Sequence, residues 1–98
     1  MEEEIILNPD ELIEYIKENV QDHDAIEISY NRIYAPGTVL SVRIEDNFGE
    51  ENLIIRIQLN GELVNDTVEV NIHAIKDDII EIRHTQNEKL KTIVVEDN

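Results

Sequence analysis

The stretch NPDELIEYIKENVQDHDAIEISYN, residues 8–31, decides the fold class because its hydrophobic period changes halfway along. In its first half the apolar residues recur at the spacing of one helix face, at Leu12, Ile13, Ile16 and Val20. Beyond Asp24 they alternate with polar residues, as in a strand with one face in water, at Ile26, Ile28 and Tyr30. The stretch therefore predicts a helix followed closely by a strand.

The helix is predicted to run from about residue 9 to residue 21. Asn8 suits the N-cap position, Pro9 suits the first helical position, and Glu11 stands where a capping box needs it. Ahead of the cap, residues 5–7 are compatible with either a short edge strand or a simple apolar lead-in.

Five turn signals divide the rest of the chain into alternating segments. Ala35-Pro36-Gly37 is predicted to be the first hairpin turn, residues 46–51 the second loop, and Asn60-Gly61 the third turn. The segments 76–78 and 86–89 turn the chain twice more.

The segments between these turns predict the strands of a single domain. Alternation from residue 64 to residue 74 predicts one long strand with a bulge at Asp66, and residues 90–95 predict the last strand. The predicted fold over residues 1–98 is α+β, with one N-terminal helix packed on an antiparallel β-meander of about five to six strands.

The composition excludes several classes of function. The 98 residues include 23 Asp and Glu against eight Lys and Arg, for a net charge of −15. Such a surface repels phosphate groups, so direct binding to nucleic acid or to an anionic membrane is not expected. Without cysteine the chain forms neither a disulfide nor a thiolate metal site, and no cofactor is predicted. The acidic start and the lack of a long apolar run favour a cytoplasmic protein.

The acids are concentrated at the start of the chain. Ten of the 23 acids but only one of the eight bases, Lys17, lie in the first 27 residues, and residues 1–4 and 96–98 are predicted to be acidic tails. Four carboxylates spaced by four form a ridge along the predicted helix, at Asp10, Glu14, Glu18 and Asp22. Like charges at this spacing destabilise a helix, and the last two of them also oppose its dipole.

This helix ridge, with Glu11 beside it, has two interpretations. A charged helix face is most often simply solvated. Alternatively, these carboxylates are retained at a cost in stability because they contact a cationic partner, such as a groove that normally holds nucleic acid.

A second acidic cluster surrounds the predicted second loop, at Glu45, Asp46, Glu50 and Glu51. If Ala35-Pro36-Gly37 is the first turn, Glu27 lies directly opposite Glu45. The helix ridge, Glu27 and this cluster would then form one continuous negative surface. Phe48, at the tip of the loop, either anchors a partner or folds back onto the core.

Neither a dedicated metal site nor catalysis is predicted. The segments 22–24 and 46–51 do not match a twelve-residue calcium loop, so loose binding of divalent ions is expected, and a calcium- or magnesium-dependent module is a third alternative. The spacing of His23, His73 and His84 is not that of a metal site. We expect His73 to face solvent and His84 to have a polar partner near a strand end. No nucleophile elbow or glycine-rich phosphate loop is present, so the protein is not predicted to be an enzyme.

An alternative function rests on apolar residues that alternate out of phase with the predicted core residues and so face the other side of the sheet. Four apolar residues predict a patch on the second face of the sheet, at Ile54, Ile79, Ile93 and Val95. Through this patch or through an open sheet edge, the protein would act as a structural or assembly module, either as a homodimer or as a subunit of a complex. Salt distinguishes the alternatives, because it weakens an electrostatic complex and leaves an apolar interface intact.

A short, strongly acidic, cysteine-free chain with one helix on an antiparallel sheet resembles small nucleic-acid mimics and acidic inhibitors. These include phage anti-restriction and anti-CRISPR proteins, uracil-DNA glycosylase inhibitors, and immunity proteins for nuclease toxins. The resemblance implies a stoichiometric inhibitor without chemistry of its own, in the host cytoplasm if it is encoded by a phage. The predicted partner is a basic protein, namely a nucleic-acid-binding enzyme, contacted by the helix ridge and the second acidic cluster.

Overall fold

The computed structural model describes residues 2–60 and 66–96, which form a mixed sheet of seven strands with two short helices. In chain order the elements are β1 Glu2–Leu7, α1 Pro9–Asn19, β2 Ala25–Tyr30, β3 Ile33–Asn47, β4 Glu50–Leu59, β5 Thr67–Asn71, α2 Ile72–Ile75, β6 Ile79–Gln86 and β7 Lys89–Val95. The strand order in the sheet is β1-β7-β6-β2-β3-β4-β5. The α+β class is thus confirmed.

The predicted meander is only roughly matched. Neighbouring strands are antiparallel except that β1 runs parallel to β7 at one edge of the sheet. Strand β2 lies between β3 and β6, so β6 and β7 extend the sheet on the far side of β2. Residues 5–7 belong to the edge strand β1, and residues 2–4, predicted to be part of an acidic tail, begin that strand.

Helix α1 begins as the local sequence predicts. The Asn8 side chain accepts a hydrogen bond from the Glu11 N–H, and the Glu11 carboxylate accepts one from the Asn8 N–H, which completes the capping box. The helix ends at Asn19, two residues earlier than predicted, because Val20 already has extended backbone angles. No helix within the described residues is long and apolar enough to cross a membrane.

The hydrophobic core is formed by α1 and one face of the sheet. Two helix residues, Leu12 and Ile16, are completely buried. They pack with buried side chains from the central strands and from β7, among them Ile28, Ile55 and Ile93. Burying one such side chain contributes about 1.5–3 kcal/mol, so this packing, rather than helix propensity, stabilises α1.

The first hairpin turn is not where the sequence predicts it. The chain turns at Asn31 and Arg32, whose φ angles are 39° and 68°, as a two-residue hairpin loop of the primed type requires. Ala35-Pro36-Gly37 lies inside β3 instead. Glu27 therefore pairs with Pro36, and the predicted pairing of Glu27 with Glu45 is wrong.

Gly37 is needed for a close approach between strands rather than for a turn. A Cβ atom at this position would overlap the Gln58 carbonyl oxygen and lie 2.7 Å from Ile57 Cγ2. β4 would then have to move away from β3 near the pair that joins Gly37 to Leu59.

We expect Gly37→Ala to lower the free energy of unfolding by about 1–3 kcal/mol, the usual cost of overpacking. Urea unfolding measures this loss. Gly49→Asn is the matched control, because nothing lies within 4 Å of a Cβ there and Asn tolerates its positive φ of 84°. Equal stability of Gly37→Ala and the wild type would contradict this role for Gly37.

The long strand predicted for residues 64–74 is shorter in the structure. Strand β5 ends at Asn71, whose side chain accepts a hydrogen bond from the Ala74 N–H and caps the single turn α2. His73 is therefore on a helix, where its Nδ1 accepts the Leu53 N–H, and it does not face solvent from a strand. Residues 61–65, which include part of the predicted third turn and the start of this strand, lie outside the described residues, as do residues 97–98.

The predicted apolar patch on the second face of the sheet does not exist. Ile54, Ile79 and Ile93 are buried, with exposures of 8%, 3% and 0%, and Val95 packs against the core. The parity of Ile79 was misjudged because a bulge at the start of β6 shifts its side chain by one position. Ile54 lies between Arg43 and Asn71 on the neighbouring strands. The open edges β1 and β5 remain as a prediction for assembly.

Candidate functional site

An open groove of about 580 Å³ lies between the end of α1 and the β3–β4 hairpin. Its apolar walls come from Val20 after the helix and from Val42, Ile44 and Leu53 on the hairpin. Ile44 is 52% exposed although it has the parity of the core, because β3 and β4 extend beyond the end of α1. The groove thus presents apolar surface that the chain itself leaves uncovered.

Phe48 projects from the tip of the hairpin that forms one side of the groove. It has a positive φ of 54° and is fully exposed, so it does not fold back onto the core. The turn is fixed by Asp46, whose carboxylate accepts the Gly49 N–H at 3.1 Å. A fully exposed aromatic residue on an ordered turn is typical of a contact residue.

Several acids lie around the groove. Asp22 lines it directly from the turn after α1, so it is not on the helix as predicted, and Glu18 is exposed in the last turn of α1. On the hairpin, Asp46 and Glu51 stand directly opposite each other on the groove side of the strands. Like charges directly opposite each other destabilise a pair of strands, and a nearby cation reduces this repulsion.

Lys17 supplies that cation and connects the helix to the hairpin. Its Nζ lies 2.8 Å from Glu51 Oε2 and 3.9 Å from Glu14 Oε1. The hydrogen bond with Lys17 holds the pKa of Glu51 below its ordinary value and raises the pKa of Lys17. His73 Nε2 lies 3.5 Å from the same Glu51 oxygen, so α2 also contacts this carboxylate.

The helix ridge is neutralised along its first half only. Asp10 forms an ion pair with Lys76 at 3.0 Å, and Glu11 is used in the capping box. Glu14 is close to Lys17, as described above. Among the described residues, Glu18 and Asp22 make no ion pair. The free negative charge of the ridge therefore lies at its end, beside the groove.

The acids predicted to form one continuous surface lie on two faces. Glu27 alternates with core residues and faces away from α1, where it accepts a hydrogen bond from the Tyr34 hydroxyl. Glu45 lies on that same far face and pairs with Arg43 at 2.9 Å, and Glu50 shares its parity. A single surface that joins Glu27 to the helix ridge is therefore excluded, because alternate residues of a strand point to opposite faces.

A second feature of the site was not predicted from the sequence. The Tyr15 hydroxyl lies 2.7 Å from His84 Nδ1, and His84 Nε2 lies 2.7 Å from Asp24 Oδ2. Asp24 Oδ2 also accepts hydrogen bonds from the Gln21 N–H and from Gln86 Nε2. His84 is 2% exposed and Asp24 is 9% exposed, so this is a buried polar chain that links α1 to β6. The expected polar partner of His84 is confirmed.

Burial and nearby charges affect the pKa of the Tyr15 hydroxyl at one end of this buried chain. Burial, and then the charges of Asp24 and Glu3, raise the pKa of Tyr15 to about 12. Tyr15 therefore keeps its proton and can donate it to His84 Nδ1, while His84 Nε2 faces the Asp24 carboxylate. A tyrosine in this state is a hydrogen-bond donor and not a nucleophile.

We expect the phenolate absorbance of Tyr15 to appear only near pH 12, and the melting temperature to fall as the pH rises from about 10 towards 12. Stability is unaffected below the unfolded pKa of about 10. Above it the unfolded chain releases the proton while the folded chain retains it, which favours unfolding. The difference in absorbance between the wild type and Tyr15→Phe isolates this group. A midpoint near 10 in that difference would contradict the burial of Tyr15.

The remaining candidates for chemistry are not brought together. Within residues 2–60 and 66–96, no three His, Cys, Asp or Glu side chains are placed to hold a metal ion. His23 is exposed in a turn, whereas His73 and His84 belong to separate clusters. Within the described residues the three histidines therefore form no common site.

Comparison with known proteins places the chain in a family. Neither the curated proteins nor the solved structures gave a match. Residues 3–94, nearly the whole of the structure described above, match one protein family. The chain therefore belongs to the family described as "Uncharacterized protein conserved in archaea (DUF2097)".

Proposed function

We propose that the protein is a small acidic binding protein whose groove and β3–β4 hairpin dock onto a cationic, partly apolar surface of a partner protein. One observation carries this proposal: the apolar groove has the exposed Ile44 in its wall, the fully exposed Phe48 lies at the tip of the same hairpin, and the acids Glu18 and Asp22, which make no ion pair within the described residues, lie beside it. An exposed apolar patch with a charged rim is the usual anatomy of a protein interface.

The chemistry of the partner follows from charge complementarity. The net charge of −15 attracts a basic surface over a distance and speeds its association. Ile44 and Phe48 then bury apolar area that charge alone does not provide. The matching partner surface is a basic segment that also presents apolar side chains.

A narrower form of the proposal concerns the identity of the partner. A nucleic-acid-processing enzyme has a basic surface that normally meets phosphates, and the acids beside the groove would occupy it. The protein would then be a stoichiometric inhibitor that imitates nucleic acid. The support for this form is the negative charge that remains unpaired at Glu18 and Asp22. The phage and toxin-immunity roles implied by the resemblance stay predictions.

The experiment is a titration of the protein with a labelled synthetic peptide in which lysine and leucine alternate at helical spacing, followed by fluorescence anisotropy. We expect saturable one-to-one binding that weakens steeply as salt is raised. A second peptide with serine in place of leucine keeps the charge and removes the apolar contacts, and we expect it to bind more weakly. Equal binding of both peptides would overturn the role of the groove.

The same protein, immobilised, then identifies the natural partner in an archaeal lysate. A partner that elutes with rising salt and is basic supports the proposal. Capture that resists high salt would instead favour the assembly function through the open edges β1 and β5, because an apolar or backbone interface is not screened.

A further inference from the structure

A second cavity, of about 220 Å³, opens on the other side of α1, between the helix and the β6–β7 hairpin. It shares no lining residue with the groove. Its volume equals that of about seven water molecules, so it has room for a small ion or head group and not for a peptide. We call it the lysine cavity, after Lys89 and Lys91 on its β7 side.

The lining of the lysine cavity is opposite in character to the rest of the molecule. Acids make up 23 of the 98 residues, yet none of them lines it. Lys89 and Lys91 form no ion pair within the described part of the chain, although acids outnumber bases almost three to one. The side chains of Asn19, Gln86 and Asn87 complete its polar lining.

The inner end of the lysine cavity is rigid. Tyr15 and His84 line it, and their positions are fixed by the hydrogen bonds that end at Asp24. Lys91 Nζ lies 5.8 Å from the centre of the Tyr15 ring, within the range of a cation–π contact. The cavity thus combines two positively charged side chains with an ordered floor whose polar groups are already hydrogen-bonded to one another, so the two lysines are the groups left to bind a ligand.

We propose that the lysine cavity binds a phosphate group, either as inorganic phosphate or as a small phosphomonoester. The two ammonium groups come from alternate residues on the same face of β7 and together supply two positive charges, which suits a compact tetrahedral anion. Planar carboxylates are recognised best by the fork of an arginine, and no arginine lines this cavity. The size of the cavity excludes a polynucleotide, which agrees with the repulsion expected from the net charge.

Two features of the chain oppose anion binding and set the conditions of the test. The net charge of −15 repels any anion, and Glu3 lies opposite Lys91 in the pairing of β1 with β7. At an ionic strength of 0.15 M charges are screened beyond about 8 Å, so the affinity for phosphate depends mainly on the groups that line the cavity. The titrations are therefore made at constant ionic strength.

The test is a titration of the full-length protein with inorganic phosphate and, separately, with glycerol phosphate, followed by isothermal calorimetry and by the NMR signals of the His84 ring. We expect one saturable site, a shift of the His84 signals and a rise in melting temperature that saturates with the ligand. Tighter binding of glycerol phosphate identifies a phosphomonoester as the ligand, and equal or weaker binding identifies free phosphate.

The variants Lys89→Gln and Lys91→Gln, combined, should weaken phosphate binding by about tenfold or more. The matched control is the combination of Arg56→Gln and Arg83→Gln, which also removes two positive charges from exposed positions on the far face of the sheet. This control should bind as the wild type does. Absence of saturable binding in the wild type, or equal losses in the two double variants, would overturn the proposal and leave the groove function unaffected.

Discussion

Replacing Glu18 and Asp22 together by lysine is expected to weaken binding of the cationic lysine–leucine peptide by about tenfold or more, with the fold intact. Both side chains are exposed, and neither makes an ion pair within the described residues, so the change removes no folded-state contact seen in the structure. Lysine at position 18 also suits the negative end of the helix dipole. Like charges placed against each other in an interface cost several kcal/mol.

The matched control for this double variant is the combination of Glu2→Lys and Glu4→Lys. It changes the net charge by the same amount, but on exposed residues of β1 whose parity places them on the face away from α1. If net charge alone attracts the peptide, both double variants lose affinity equally, and the groove is not the contact surface. Preserved affinity in the control and loss in the groove variant support the proposed function.

Asp24→Ala is expected to lower the free energy of unfolding by about 3 kcal/mol, which is a large part of the 5–15 kcal/mol typical of a domain. The substitution leaves His84 Nε2 and the Gln21 N–H without their acceptor, and removes one of two acceptors of Gln86. Buried donors without partners are costly. For a chain of this length the melting temperature should fall by about 12–24 °C.

Asp22→Ala is the control for that substitution, because it also replaces an aspartate by alanine, but at an exposed position two residues earlier. Its effect on stability should stay within about 0.5 kcal/mol. Calorimetric melting curves of both variants measure the difference. Similar melting temperatures for the two would show that the buried chain contributes little, and the rigid floor of the lysine cavity would lose its basis.

The parts of the fold that could be predicted depend on neighbouring residues. The start of α1 follows from Asn8, Pro9 and Glu11, which lie within four positions of one another. The turns near Lys76 and Asn87 follow from local clusters of polar residues in the same way. Such features can be predicted because the interactions that stabilise them join residues of one short segment.

Two errors arose where a local signal competed with contacts from distant strands. Pro36 and Gly37 have the composition of a turn, but Gly37 is needed where β4 approaches, and the actual turn at Asn31 and Arg32 contains no glycine. Val70 and Ile72 keep a common parity on either side of the cap at Asn71, so alternation does not show that the strand has ended.

The candidate site could be predicted only in part. Charge spacing identified Glu18 and Asp22, and the exposure of Phe48 was one of two stated alternatives. The sorting of the second acidic cluster between two faces depends on the position of the two-residue turn at Phe48 and Gly49, whereas the sequence predicted only a loop over residues 46–51. Residues 15, 24 and 84 meet only through the fold, and a lone tyrosine, aspartate and histidine carry no common pattern in the sequence.

The parallel pairing of β1 with β7 has a consequence for the order in which the molecule is made. Glu2 pairs with Leu90, so 88 positions of chain must be synthesised before the first strand meets its neighbour. A nascent chain on the ribosome holds β1 unpaired throughout, with three glutamates that discourage premature edge-to-edge association. Contacts of such high sequence separation slow folding, so closure of this edge should be a late step, completed only after translation has passed the last strand.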